Sequence, residues 1–478
     1  MFKRGKWLFL LVLGAFLGWS LSASAFQVEL HGQFGTKNQT TNTLGMIDKG
    51  GKTNIPKVLH EGQRPAEGQH VLAPVDEIGK DDLDDTWGEL QFRLWSVVSS
   101  DDGNVKGVWS MEVGTLRYGE KDEAGSLTFK NEGKDIEVRE MYLDVQIPWI
   151  QSENRLIFGL QEVDINEWVL SEIGAGIRNY GSFTVGKTIV DYQIGWLRED
   201  DSINYRWDGS PYTNDSDFWY GKIDFELKEH FGVDKFQVGI FGIYNNDCTE
   251  SADDRFKGQP YWVGLELDFQ GFKGIIFDLD GIYLGGDADE VNGEARDDYD
   301  AWFLHATLGY QWTNQLKTSF TFWYASGDDN GEGDDYEAYR TVMTDTYGSV
   351  VLFEDATFDD GWYVSDNPYL DNDLGFIMYR FRVDYQATPK LALAAAVNYM
   401  QFDEDVEYVD RAGHKSSDDA IGWEVDLYLT YEIYKGLTSN IAFGYLFTDD
   451  GMDTYAKYVG EGDADDMYRF SFGLTYSF

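Results

Sequence analysis

The chain has 478 residues, with 85 acidic against 38 basic side chains and a formal net charge of −47. That balance excludes nucleic acid as a natural partner, because phosphate binding needs a basic surface, and the single cysteine, Cys248, excludes an intramolecular disulfide. A mean hydropathy of −0.42 suits a soluble protein, yet it does not exclude a membrane β-barrel, whose lumen face and loops dilute its lipid face.

In chain order, the first feature is a leader. Lys3, Arg4 and Lys6 precede an apolar run from Trp7 to Leu21, and Ser22-Ala23-Ser24-Ala25 follows. This is the layout of a secretory signal cleaved after Ala25. It predicts export through a Sec-type route and a mature domain spanning 26–478, with a charge near −50 once the three leader cations are gone. The apolar run is short for a spanning helix, and no later stretch is longer.

Beyond residue 26 the dominant signal is alternation of apolar and polar residues, clear over 265–269, 302–312, 391–399, 421–431 and 437–447. Period two means strands; a helix would place apolar residues three and four apart, and no convincing amphipathic helix is visible. Short turns are expected at 100–104, 148–154, 185–187, 270–273, 313–315, 388–390 and 434–436. Long, polar and often acidic segments lie between them, at 36–86, 285–298, 327–374, 403–419 and 448–465. Short turns on one side and long loops on the other suit a transmembrane barrel. The reading is all-β, a single antiparallel barrel of about 18 strands, with 16 as the alternative, short periplasmic turns and long acidic extracellular loops. The eight prolines fall outside the expected strands, with Pro260 at a strand start, as the unbroken hydrogen bonding of a barrel wall requires. Trp87, Trp219, Trp262, Trp302, Trp312 and Tyr434 stand at strand ends and are candidates for interfacial girdles.

The stretch IEVREMYLDVQIPWIQSENRLIFGLQ, residues 136–161, is the most distinctive. Its Arg139, Tyr142, Leu143, Asp144, Pro148, Gly159 and Gln161 form a pattern that resembles a region of bacterial outer-membrane porins and of alginate-export-type barrels. The resemblance implies that the following loop, 162–180 with Trp168, Glu172 and Arg178, folds inward as a constriction; an ordinary extracellular loop is the other placement. The acidic excess departs from the alginate-export pattern, in which a basic conduit suits a polyanion.

Strand parity assigns lumen-facing polar side chains: Arg93, Glu112, Glu140, Asp144, Arg155, Gln161, Arg380, Arg382, Asp384, Glu424 and Asp426 are the candidate pore-lining residues. Asp191, Lys222, Asp224, Asp278, Asp280, Lys317 and Arg469 share that face. Charge belongs there, because a Lys or Arg on the lipid face at mid-depth costs roughly 2–4 kcal/mol. Most of these groups are expected to pair with one another, leaving a minority near the constriction to set selectivity. Trp323 and Tyr428 are candidates for a sugar track. The acidic loop segment with Asp328, Asp329, Glu332, Asp334 and Asp335 superficially looks like a calcium loop, but Tyr339 occupies the twelfth position where a Glu is wanted. A structural Ca2+ or Mg2+ bridge there is the one cofactor the sequence leaves open; solvated surface charge is the plainer reading.

Catalysis has little support. The histidines His31, His60, His70, His230, His305 and His414 are scattered, without His-Glu-x-x-His. No Gly-x-Ser-x-Gly is present.

The chain closes on YRFSFGLTYSF, residues 468–478. Tyr468, Phe470, Phe472, Leu474, Tyr476 and Phe478 share one face and small polar residues the other. A terminal Phe behind alternating aromatics resembles the C-terminal signal of bacterial outer-membrane proteins, which implies recognition by the barrel-insertion machinery. The sequence therefore predicts a porin: a water-filled outer-membrane channel for ions and small hydrophilic solutes, cation-preferring, surrounded by lipid and lipopolysaccharide. Both monomer and homotrimer remain open, and the alternative function is a saccharide-specific or polysaccharide-export channel. An enzyme is not expected.

Overall fold

Alternating sequence becomes alternating burial. In the computed structural model, which describes residues 26–42, 85–118, 136–205, 211–247, 257–291, 294–329, 334–346, 348–353, 362–363, 373–409, 415–458 and 464–478, each long apolar/polar segment is a strand. In chain order the strands of the wall are β1 (Phe26–Thr41), β2 (Asp85–Ser100), β3 (Val105–Arg117), β4 (Glu137–Gln146), β5 (Glu153–Asn166), β6 (Leu170–Val185), β7 (Thr188–Tyr205), β8 (Pro211–Glu226) and β9 (Lys235–Asp247). After the two-residue β10 (Lys257–Gly258) come β11 (Tyr261–Gly271) and β12 (Ile275–Val291), then the short β13 (Glu294–Ala295), then β14 (Asp298–Gln311) and β15 (Leu316–Ala325). The short β16 (Met343–Thr346) and β17 (Trp362–Tyr363) interrupt the wall. It resumes with β18 (Phe376–Thr388), β19 (Leu391–Val409), β20 (Lys415–Tyr434), β21 (Leu437–Thr448) and β22 (Met467–Ser477).

Eighteen of these pair antiparallel, each with its neighbour in the chain. The ring shuts where β22 pairs with β1, from Gln33↔Ser477 to Thr41↔Arg469. Closure removes the edges that an open sheet would expose, and it satisfies every wall strand on both sides. On the lumen side of this seam Arg469 donates from Nη1 to Gln39 Oε1 at 2.9 Å, and Lys37 pairs with Glu89 at 3.6 Å. On the outer side Phe470 and Tyr476 are exposed, as the parity of the last strand predicts.

One rim carries tight turns. Gly186–Lys187 joins β6 to β7, and Gly186 has φ +66, the left-handed value that the first residue of a two-residue hairpin turn of this hand needs. A turn between β8 and β9 was not legible in the sequence; it holds a one-turn helix, Lys228–Phe231. The other rim is built differently from expectation. The expected loops 403–419, 285–298 and 36–86 are shorter than read, because β19 runs on to Val409, β20 starts at Lys415, β12 reaches Val291, and β1 and β2 reach Thr41 and Asp85. A strand of about 9–11 residues spans the apolar layer, so the 19 and 20 residues of β19 and β20 extend beyond it, and polar sequence there is still strand. The loop 448–465 contains a helix, Asp450–Tyr458, which the sequence reading missed.

Three face assignments change. Trp262 is fully buried inside the barrel and Trp87 donates from Nε1 to the lumen-facing Glu89, so neither is a girdle residue, whereas Trp219, Trp302, Trp312 and Tyr434 are exposed on the outside. Ile421 also faces inward: the β19–β20 register shifts between Met400↔Gly422 and Gln401↔Ala420, and such a bulge reverses parity for the residue it carries.

Candidate functional site

Several strands are apolar on both faces over their last residues towards the long-loop rim: Tyr261-Trp262-Val263, Ile282-Tyr283-Leu284, Trp323-Tyr324-Ala325 and Phe376-Ile377-Met378. A run without alternation means burial on both sides. In the barrel, Phe241, Ile243, Trp262, Ile282, Leu284, Phe303, Trp323, Phe376 and Met378 form one buried cluster on the inner wall. What buries them is chain folded into the lumen from two places.

The first is the tip of the β5–β6 hairpin. The expected loop 162–180 is in fact strand on both sides of a three-residue turn, Glu167 to Val169, and Glu172 and Arg178 lie on β6. The tip itself turns inward. Val163, Ile165, Val169 and Leu170 are buried, and the Trp168 ring packs on Phe303 and Trp323 at centroid distances of 5.2 and 4.9 Å. Asn166 donates from Nδ2 to Glu266 Oε1 at 2.6 Å and to Asp280 Oδ1 at 2.8 Å, and Trp168 Nε1 donates to Asp280 Oδ2 at 3.1 Å. Lys222 Nζ donates to the Ile165 carbonyl at 2.7 Å. Thus β8, β11, β12 and β14, none of them a neighbour of β5, all hold this tip.

The second is the long segment between β15 and β18, which lies against the tip. Tyr339 Oη donates to the Trp168 carbonyl at 2.9 Å, Val342 N–H to the Val169 carbonyl at 2.9 Å, and Thr344 Oγ1 to the Glu167 carbonyl at 2.7 Å. Trp262 Nε1 donates to the Arg340 carbonyl at 2.9 Å. Farther along, the segment reaches β20. There Ser349 Oγ donates to Glu424 Oε2 at 2.8 Å, Val351 N–H to Glu424 Oε1 at 2.6 Å and Val350 N–H to Asp426 Oδ1 at 3.3 Å. Asn398 Nδ2 holds the other oxygen of Asp426 at 2.7 Å. Gly444 faces this contact: a Cβ there would stand 2.7 Å from Val350 Cβ, so only glycine lets the segment reach the wall. Glu424 and Asp426, read from sequence as pore-lining, are therefore fully buried anchors of an inward segment. Trp323 is covered by Phe353 and Trp168 and is not part of an open sugar track.

The remaining candidates lie in separate groups around the wall. Arg93 Nε and Arg139 Nη1 both donate to Glu112 Oε2, with Gln91 on its other oxygen. Glu140 is half-buried opposite Ser110, beside a bulge in β4. Arg155 Nε donates to Asp144 Oδ1 at 2.7 Å, Tyr180 Oη to Asp144 Oδ2 at 3.1 Å, and Arg155 Nη2 to the Gly103 carbonyl at 3.2 Å, so this group sits at the short-turn rim. Arg178 lies over the Tyr180 ring at 5.5 Å. Gln161 is fully buried, with Nε2 donating to the Gly176 carbonyl at 3.4 Å. Glu172 accepts the Ile173 N–H at 2.7 Å. Arg382 Nε donates to Asp384 Oδ1 at 2.9 Å and stacks over Tyr428 at 4.8 Å, and Arg380 Nη2 donates to Tyr428 Oη at 3.0 Å. These pairings fit the expectation that most wall charges neutralise one another.

In the acidic loop, Asp328 is buried against Arg296 at 2.8 Å. Asp329 is exposed, the Asp334 carbonyl accepts the Asp297 N–H, and Asp335 Oδ1 accepts the Asp298 N–H at 3.2 Å. Glu332 lies outside the described residues.

Beneath the inward tip, towards the short-turn rim, a cavity of about 400 Å3 is lined by Asp164, Glu167, Glu266, Asp268, Asp278 and Asp280 against two cations, Lys222 and Lys235. Its acidity was not singled out in the sequence, because its carboxylates come from three strands and one turn. Enclosure by the surrounding wall and then the Asp280 carboxylate push the Glu167 carboxyl up to about 7. Burial, with Asp280 next, holds the Tyr339 phenol well above its ordinary value, so it is a donor throughout the physiological range. A second cavity of about 350 Å3, near the same rim, is lined by Lys317, Arg382, Asp384, Tyr385, Tyr428 and neighbouring polar residues.

No protein-family model matches the sequence, and no curated protein does. Solved structures do. OccK2 (OpdF) of Pseudomonas aeruginosa in complex with glucuronate aligns with a TM-score of 0.51 at 10% identity, covering 94% of this chain and 96% of that one. OpdK of Pseudomonas aeruginosa with vanillate aligns at 0.50 and 11% identity, covering 94% and 98%. At such identity the likeness is one of fold: this chain is a porin-like, closed 18-strand antiparallel barrel, the architecture of the outer-membrane Occ and Opd porins.

Proposed function

We propose that the protein is an outer-membrane channel that passes small hydrophilic solutes by diffusion and prefers cations. The observation that carries this reading is the cavity under the inward tip, where six carboxylates face two lysines. In a narrow passage with low-dielectric walls, such an excess concentrates cations and repels anions. The apolar outer band faces lipid and the acidic loops face lipopolysaccharide, where divalent cations would bridge them. Insertion through the closing strand accords with this location. The protein does no bond chemistry.

A saccharide-specific channel is the second reading, favoured by the second cavity, in which Tyr428 stands beside Arg382 and Lys317. The glucuronate in the OccK2 structure is a precedent for that chemistry on this fold. Liposome swelling separates the two. The cation channel admits a small organic diamine faster than a dicarboxylate of the same size. Faster entry of a uronic acid than of the diamine would overturn it.

A further inference from the structure

We propose that Asp278, Asp280 and His305 form a binding site for one divalent transition-metal ion of the zinc type, on the lumen wall directly beneath the inward hairpin tip. The proposal rests on the channel reading only for its consequence, not for the site itself.

Register brings the three together. Asp280 and His305 are direct cross-strand partners between β12 and β14, and Asp278, two residues along β12, shares their face. His305 Nδ1 is 3.2 Å from Asp280 Oδ2 and 3.3 Å from Asp278 Oδ1, and the three donor atoms lie within 4.8 Å of one another. Bonds of about 2.0–2.1 Å to a tetrahedral ion put neighbouring donors roughly 3.3 Å apart. Both edges from His305 already have that length.

The surroundings orient the donors. The other ring nitrogen of His305 lies 3.4 Å from Thr307 Oγ1, whose hydroxyl is 2.7 Å from Thr321 Oγ1. The Trp168 ring covers the imidazole at 4.6 Å. Asn166 and Trp168 hold both oxygens of Asp280. Partners of this kind fix the rotamer and the tautomer of metal ligands. One imidazole with two carboxylates suits zinc and its first-row neighbours, whereas calcium and magnesium want oxygen throughout. Asp278 and Asp280 also line the acidic cavity, which supplies a route and a raised local cation concentration. A bound ion would take His305 Nδ1 as a ligand in its neutral form. Since Asp280 also anchors the tip, the ion would stiffen the constriction and reduce cation flow.

The test uses the full-length chain folded in detergent micelles and checked by heat-modifiable gel migration. After incubation with Zn2+ and desalting, elemental analysis is expected to find one zinc per chain, and Co2+ is expected to give the visible absorption of a low-symmetry site. His305→Ala and Asp278→Asn should each weaken retention by at least about tenfold, while Asp268→Asn, in the same cavity, should keep it. Zinc retained no better than Mg2+, or lost equally in all three variants, would overturn the site in favour of diffuse attraction to carboxylates. Binding is read without any current, so a folded barrel that holds zinc but passes no ions would contradict the channel and leave the site standing.

Discussion

At the scale of single residues the lumen wall is a set of neutralised pairs with a few charges left over. Asp144 and Arg155 show the pair. Both side chains are nearly buried, 6% and 8% exposed, so removing one partner strands the other. Arg155→Ala is expected to destabilise the folded barrel by about 3 kcal/mol, at the low end for a broken buried pair, because Tyr180 still donates to Asp144. Asp144→Asn combined with Arg155→Met should recover much of the loss, and urea titration of the barrel in phospholipid micelles measures both. Glu167 is one of the charges left over. It is exposed to the lumen, and its pKa of about 7 lies above the ordinary 4.5, so the sign is that of a carboxyl whose neutral form the fold favours. Its contribution to holding the tip is complete below the ordinary carboxylate pKa and is lost as pH rises through 7; the constriction gains one negative charge over the same interval. Cation selectivity is therefore expected to rise between pH 6 and 8, that is, about one unit either side of this pKa. Glu167→Gln should flatten that step, as reversal potentials at fixed salt would show. The sequence disclosed the face of Arg155 and Asp144, because parity is enough for a regular strand. It did not disclose the face of Ile421, because a bulge adds one residue and leaves no local mark in composition.

At the scale of elements, the two inward segments decide what the barrel can pass. The tip is held mainly by Trp168, buried among Phe303, His305 and Trp323. Trp168→Ala is expected to cost about 3–5 kcal/mol of local packing and to widen the pore, which single-channel recording would register as a larger and noisier current. Gly444→Val attacks the other segment by adding bulk where even a Cβ is 2.7 Å from Val350. It should lift the segment off Glu424 and raise conductance while leaving strand content by circular dichroism unchanged. Unchanged conductance in both variants would mean that the path avoids these segments. The inward fold was only half legible. The resemblance of the 136–161 hairpin pointed to this loop, but its expected bounds were too wide, since polar residues such as Glu172 and Arg178 read as loop when they are strand facing water. The long segment's role was hidden altogether, because a buried anchor such as Glu424 and a solvated wall carboxylate are the same letter.

For the whole molecule, alternation and alternating loop length were enough. Period two over most of the chain, no proline in a strand interior among the described residues (Pro211 only opens β8) and short turns on one rim leave few architectures, and a closed barrel is the one whose wall hydrogen bonds are all satisfied. Net charge was legible too, but not where it falls: the carboxylates that surround the passage come from strands distant in sequence and meet only when β11 and β12 face the tip. The central claim is that this acidic passage makes a cation-preferring channel. The most direct test is the reversal potential of single channels of the native protein across a salt gradient in a planar bilayer. The account predicts a steady open current with the potential displaced to the cation side. An anion-side potential would contradict it and move control to Arg382 and Lys317, and a correctly inserted barrel without current would contradict the channel itself.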